Sequence, residues 1–138
     1  AAAVRFIEEQ REHPFFLMVA HHAVHRPLEA RPELVEKYRA LPKTDQGNPV
    51  FAALVETVDD SVGTIDATLG RLGLREDTVL IFASDNGGLT LGPDTSNYPL
   101  LGGKSFPYEA GVRTPLFIRW PSRIAPGSRN DTRVIHMD

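Results

Sequence analysis

Apolar residues recur along residues 51–72 at the spacing of an α-helix. They come three or four positions apart and follow one helix face: Phe51, Leu54, Val55, Val58, Val62, Ile65, Leu69 and Leu72. Asn48 is a favoured residue type at an N-cap, and Pro49 suits the first helical position. Gly73 suits the left-handed position after a helix end. The pattern predicts one long amphipathic helix with defined ends.

Three continuous apolar runs have the length of strands. They are residues 15–20, residues 79–83, and residues 116–118 together with Trp120. A short apolar run without alternation is typical of a strand buried on both faces, as in parallel sheets. The first strand, the long helix and the second strand therefore predict a parallel crossover unit.

Two shorter helices are predicted at residues 4–12 and 33–39. The first is expected to end before Pro14, because proline disfavours helical backbone in the residue before it. About thirty residues rich in Gly, Pro, Asn, Asp and Ser connect the second and third predicted strands. A connection of that length in a compact domain is usually functional or disordered. The elements together predict an α/β domain, or part of one.

Composition narrows the class of protein. The chain has 138 residues, 41% of them apolar, which suffices for one core and not for two. The net charge is −3 and there is no dense basic patch, so nucleic acid is not an expected partner. No run reaches the roughly 18 apolar residues of a membrane helix, so no membrane span is expected. Without cysteine the chain has no disulfide, thiolate metal ligand or cysteine nucleophile.

Polar clusters follow the first two predicted strands, at the strand ends where open α/β sheets bind ligands. His21, His22 and His25 follow the first strand, and Asp85 and Asn86 follow the second at a glycine turn. Carboxylate and amide oxygens suit a hard cation such as calcium, but Asp-Asn-Gly is common turn chemistry, and these residues alone favour the turn. The histidines suit a transition metal, acid–base chemistry or the polar filling of a loop, and their spacing favours the last.

Gly102 and Gly103 precede Lys104, which is a further candidate. Two glycines allow close approach of the backbone, and the lysine would add positive charge for a tetrahedral anion. From these residues alone a solvated lysine is the default interpretation. Asp59 and Asp60 lie inside the long helix, where consecutive side chains point about 100° apart, and they are interpreted as helix surface or salt bridges.

Five groups of segments carry a resemblance to a known family. In chain order they are residues 14–17 leading to 23–27; 59–63 with 72–74; 82–88; 101–104; and 108–116. In this order they resemble the motifs of the type I sulfatases, the formylglycine-dependent members of the alkaline phosphatase superfamily. The resemblance implies an α/β fold, a partial alkaline-phosphatase-like sandwich with a mainly parallel central sheet flanked by helices. Residues 1–138 are then expected to be the C-terminal part of a sulfatase catalytic domain, an incomplete domain.

The resemblance implies roles for four residues. Asp85 and Asn86 match two calcium ligands of the family. His25 matches the histidine that contacts the sulfate group and protonates the departing ester oxygen. Lys104 matches the lysine that holds the sulfate and that oxygen. Cleavage of a sulfate monoester yields an anionic sulfuryl group and an alkoxide or phenoxide, so cations and a proton donor suit this chemistry. Glu109 is a candidate for orienting a neighbouring group.

The implied activity is hydrolysis of sulfate monoesters with calcium and a formylglycine. The family forms this nucleophile from Cys or Ser in a Cys/Ser-x-Pro/Ala-x-Arg motif, and this chain contains no match. Ser105 comes nearest, but Glu109 stands where the motif needs arginine. The nucleophile is therefore expected upstream of residue 1, and this chain, which begins with Ala1, is expected to be an internal piece of a longer enzyme.

The resemblance also implies a class of substrate and leaves alternatives open. A sulfated small molecule or a sulfated glycan is the expected substrate, and members of the family often work in the periplasm, in lysosomes or after secretion. One alternative is a phosphodiesterase or phosphonate monoester hydrolase of the same superfamily. The other is a non-catalytic sulfatase-like binding module.

Overall fold

The structure, a computed structural model, describes residues 2–43, 47–92 and 94–135. Within these ranges the chain forms helices and short strands. In chain order they are α1 (Ala2–Glu9), α2 (Pro32–Arg39), α3 (Pro49–Arg71), β1 (Leu80–Ala83), α4 (Glu109–Val112) and β2 (Leu116–Arg119). None of the helices in these ranges is both long and apolar enough to cross a membrane.

The long helix α3 begins and ends where the sequence predicts. The Asn48 side chain accepts a hydrogen bond from the backbone N–H of Val50 at 3.0 Å and caps the helix, with Pro49 following it. At the other end Gly73 has a φ of 72°, and the N–H of Leu74 donates back to the last turn at 2.9 Å. This is the Schellman ending, which satisfies carbonyls that would otherwise lack partners.

Helices α1 and α2 both pack against α3. The Glu8 carboxylate lies 2.6 Å from Arg71 near the end of α3, and Lys37 lies 2.8 Å from Glu56 in its first half. Among the residues that the structure describes, the buried apolar side chains are few: Ile7, Val35, Ala53, Leu54, Leu69 and Ala110. Five of these six residues lie in α1, α2 and α3, so the core sits mainly between those helices, whereas Ala110 is buried in α4 (Glu109–Val112). The prediction of a helix at 33–39 is confirmed, whereas α1 ends at Glu9 and residues 10–12 form a turn.

Strands β1 and β2 confirm the positions of the second and third predicted strands. The expectation that the second strand is buried on both faces is wrong, because its residues alternate between partly buried and exposed, and Ile81 is 61% exposed. They pair antiparallel over their whole length, with Leu80 opposite Arg119 at one end. Asp66 of α3 joins this ribbon to the helices, because its carboxylate contacts Arg119 at 2.6 Å and Arg75 at 2.8 Å. Because the two strands are antiparallel, the loop that follows β1 lies next to the segment that leads into β2.

The first predicted strand is absent from the described part of the chain. Residues 15–20 form neither helix nor strand and pair with no strand there, so the predicted crossover unit is not formed. The Phe15 ring contacts Phe6 of α1 edge to face, at 5.9 Å between centroids, whereas Phe16 and Met18 are 88% and 75% exposed. An apolar run indicates burial, but a strand also needs a neighbouring backbone to pair with its N–H and C=O groups.

Candidate functional site

Asp85 and Asn86 lie in the turn that directly follows β1. Asp85 is exposed and Asn86 is partly buried. The Ser84 hydroxyl donates to the backbone carbonyl of Asn86 at 2.8 Å, and this bond shapes the turn. The turn presents one carboxylate and one amide oxygen close together in the chain.

Glycine fixes this turn against α4. The N–H of Gly87 donates to the carbonyl of Gly111 at 3.1 Å. A Cβ at Gly87 would lie 1.7 Å from the carbonyl oxygen of Ala110, so no other residue fits without moving the backbone. The hydrogen bond and the close approach therefore pack the turn after β1 directly against α4.

The Gly102–Gly103–Lys104 segment lies directly beside the turn after β1. The N–H of Lys104 donates to the carbonyl of Gly88 at 3.0 Å, and a Cβ at Gly103 would lie 2.4 Å from the same oxygen. The structure therefore brings the backbone of Lys104 next to the loop that carries Asp85.

Asn97 is a residue that the sequence analysis missed. Its side-chain amide donates to the carbonyl of Gly88 at 2.9 Å and to that of Gly102 at 3.0 Å. It thereby bridges the loop after β1 and the glycine-lysine segment. In the sequence it is one polar residue in a long polar connection, and no spacing distinguishes it from its neighbours.

His25 lies in an exposed loop, and its ring is held locally. Its Nδ1 lies 2.8 Å from the carbonyl oxygen of Arg26, and the His22 ring packs edge to face at 5.6 Å between centroids. The Arg26 guanidinium reaches across to Asp94, with Nε donating to Oδ2 at 2.6 Å. This ion pair links the His25 loop to the connection that contains Asn97.

Other candidate carboxylates make surface ion pairs. Glu109 contacts Arg113 at 2.7 Å in an i,i+4 pair, and Asp60 contacts Arg31 at 2.8 Å. Asp59 is exposed on α3. The interpretation of the two aspartates as helix surface and salt bridging is therefore confirmed.

The donor set at the turn fits part of a calcium site. Asp85 and Asn86 offer only oxygen atoms, which calcium prefers, but calcium takes about six to eight of them. The part of the chain that the structure describes contains no cluster of three or more His, Asp or Glu that would hold a metal. The two residues thus suit a calcium ion whose other ligands come from elsewhere.

Solved structures establish the class of fold. The crystal structure of Ps i-CgsB in complex with k-i-k-neocarrahexaose matches 87% of this chain and 26% of that chain, with a TM-score of 0.77 and 34% sequence identity. The fold is therefore the α/β fold of the alkaline-phosphatase-like proteins, present here in part.

Sequence comparisons establish the family. The sulfatase family model matches residues 1–138. A sulfatase of Formosa agariphila is 38% identical over 98% of this chain and 26% of its own length, and mouse N-acetylgalactosamine-6-sulfatase is 36% identical over 91% of this chain and 24% of its own. The chain belongs to the sulfatase family, within the alkaline phosphatase superfamily. It spans about a quarter of the length of these curated relatives.

Proposed function

We propose that the protein containing this chain hydrolyses sulfate monoesters. The observation that carries the proposal is the junction of two loops in a member of the sulfatase family. The N–H of Lys104 is bonded to Gly88, three residues beyond Asp85, so a cation and an oxygen-rich turn share one region. A sulfate ester needs its negative charge neutralised as it reacts, and this pairing suits that need.

Asp85 and Asn86 are the proposed calcium ligands in this chain. A bound calcium ion would supply a positive charge for the sulfate oxygens. An upstream formylglycine would supply the nucleophile. The proposal for Asp85 and Asn86 rests on their oxygen chemistry, their position after β1 and their match to the family motif.

His25 and Lys104 are the proposed catalytic residues. As the ester S–O bond breaks, a protonated His25 gives a proton to the departing oxygen, and the Lys104 ammonium holds the negative charge of the sulfate group. Because a carbonyl oxygen only accepts hydrogen bonds, the 2.8 Å contact with Arg26 places a proton on His25 Nδ1. Nε2 is then the ring nitrogen that donates the proton to substrate.

A sulfated glycan is the proposed class of substrate, with a sulfated small molecule as the simpler alternative. The proposal is supported by the names of two similar proteins, one an N-acetylgalactosamine-6-sulfatase and one solved with an oligosaccharide.

The test is the activity of the full-length protein on matched esters. With calcium present, 4-nitrophenyl sulfate and sulfated oligosaccharides should be hydrolysed much faster than phosphate monoesters and diesters. Lys104→Ala should reduce turnover at least about a hundredfold, as expected for loss of a group that stabilises transition-state charge. Lys43→Ala, at an exposed lysine after α2, is the control and should retain activity.

Two other results would indicate the alternative functions, a related hydrolase or a binding module. Preference for phosphate diesters or phosphonate monoesters would indicate the related hydrolases of the superfamily. Binding of sulfated glycans without turnover, together with an upstream sequence that lacks the nucleophile motif, would indicate a binding module.

A further inference from the structure

Asp94 joins three separate segments of the chain. Its Oδ2 accepts a hydrogen bond from Arg26 Nε at 2.6 Å, and its Oδ1 accepts one from Asn48 Nδ2 at 3.2 Å. Arg26 Nη2 also contacts Oδ2. The Asp94 side chain is only 14% exposed, so solvent screens this pair less than it screens the surface ion pairs. The loop of His25, the connection after β1 and the start of α3 thus meet at one carboxylate.

Arg26 transmits this anchoring to the His25 ring. Its side chain is held by Asp94, while its own carbonyl oxygen holds Nδ1 of His25 at 2.8 Å. Any displacement of Arg26 therefore rotates or shifts the imidazole. The nitrogen affected most is Nε2, on the far side of the ring from this contact.

Gly92 provides independent support for the contact between Arg26 and Asp94. A Cβ at this position would lie 3.0 Å from Arg26 Nη2, and the glycine has a φ of 133°. Side chains rarely adopt that backbone conformation, so the loop keeps open the space that the guanidinium fills. Arginine suits this position because its planar fork makes several directed hydrogen bonds, which lysine cannot reproduce.

We propose that Arg26 and Asp94 are positioning residues for the reaction, which act through His25. This inference rests on the proposed function. The pair sets where His25 Nε2 meets the departing oxygen, relative to the loops that carry Asp85 and Lys104. Neither residue contacts the reacting atoms in this role.

The kinetic test is Asp94→Asn in the full-length enzyme, with aryl sulfates whose phenols differ in pKa. A poor leaving group depends more on protonation than a good one. The variant should therefore lose about tenfold to a hundredfold in kcat with the poorest leaving group and little with the best, because misplacement by about 1 Å can cost that much. KM and calcium affinity should change little.

A matched set of variants separates this role from a general loss of structure. Arg26→Gln should give the same leaving-group dependence, and Asp94→Glu should restore part of the activity. Asp131→Asn, which removes an exposed ion pair with Arg129 at 2.8 Å, should behave like the unmodified enzyme. An equal loss for all leaving groups, or no loss, in both Asp94→Asn and Arg26→Gln would overturn the proposal.

Hydrogen exchange provides a readout that does not depend on activity. In Asp94→Asn, backbone amides of residues 21–26 should exchange faster, whereas those of α3 beyond its first turn should not. Unchanged exchange in residues 21–26 would overturn the anchoring. If the unmodified enzyme fails to hydrolyse any sulfate ester, the proposed function fails, and hydrogen exchange still decides whether the pair holds the loop.

Discussion

The side-chain amide of Asn97 satisfies carbonyls on two different loops, those of Gly88 and Gly102. Asn97→Ala should destabilise the full-length protein by about 1–3 kcal/mol, because the Gly102 carbonyl loses the amide donor and the Gly88 carbonyl keeps only the bond from Lys104 N–H. It should also lower kcat, since only the bond from Lys104 N–H to the Gly88 carbonyl would then join the Lys104 segment to the loop of Asp85. Thermal unfolding and steady-state kinetics measure the two effects.

Two further variants sharpen the test of Asn97. Asn97→Asp should be more harmful than the alanine variant, because a carboxylate would face the two carbonyl oxygens with no proton to donate. Asn130→Ala removes an exposed side chain that accepts from the N–H of Thr132 at 2.8 Å and serves as the control. Normal kcat in both Asn97 variants would show that the bridge does not position Lys104.

Asp85 is predicted to be indispensable for metal binding. In the full-length enzyme, Asp85→Ala should lose bound calcium and most turnover, because it removes a charged oxygen ligand. Asp77→Ala, which removes an exposed carboxylate from the turn before β1, is the matched control. Calcium content is measured after dialysis. A full equivalent of calcium in Asp85→Ala would contradict the assignment.

At the scale of elements, a small charged cluster joins α2 to α3. The hydrogen bond from Lys37 lowers the pKa of Glu56, with a further contribution from Tyr38. The same contacts with Glu56 raise the pKa of Lys37 and of Tyr38. The cluster therefore contributes most to the free energy of unfolding between about pH 6 and pH 9, where all three groups keep the protonation state that the fold favours.

The stability of the α2–α3 contact should accordingly depend on pH. A lowered carboxyl pKa stabilises the fold above the unfolded value, and the contribution is lost as pH falls through the folded value. Glu56→Gln should therefore reduce the fall in Tm between about pH 6 and pH 3, relative to the unmodified protein. Glu76→Gln, at an exposed site before β1, should leave that slope unchanged. If Tm falls equally in Glu56→Gln and in the unmodified protein as the pH is lowered, the cluster is fully solvated.

Sequence signals from residues a few positions apart were sufficient to predict some helices and strands and insufficient for others. The ends of α3 depend on residues that act within a few positions, so Asn48 and Gly73 were readable from the sequence. Residues 15–20 were not, because strand formation depends on a distant neighbour. The candidate site shows the same division. Asp85 and Lys104 were recognised by motif, whereas the bridge from Asn97 and the Arg26–Asp94 pair depend on contacts between remote segments.

At the scale of the whole molecule, much apolar surface remains in contact with solvent. Phe16 and Met18 are exposed, and Ile81 and Phe117 of the two strands are 61% and 65% exposed. Exposed apolar surface of this kind marks an interaction face. By itself the 138-residue chain is therefore expected to bind a hydrophobic dye and to associate at high concentration.

The isolated chain should not hydrolyse sulfate esters. It lacks a cysteine and a matching serine motif for the nucleophile, and Asp85 with Asn86 supplies too few oxygens for calcium. Loss of a covalent nucleophile costs several orders of magnitude in rate. The assay compares the purified chain with the full-length enzyme on a chromogenic aryl sulfate with calcium. Turnover within about tenfold of the full-length rate would contradict the mechanism.

The Asn48 side chain makes two different contacts, and this limits which amino acids can replace it during evolution or design. Its Oδ1 caps α3 while its Nδ2 donates to Asp94. Aspartate would keep the cap but place two carboxylates face to face, and serine would cap without a donor of sufficient reach. Only an amide of this length serves both neighbours. A substitution chosen solely to improve the helix would therefore alter a remote loop.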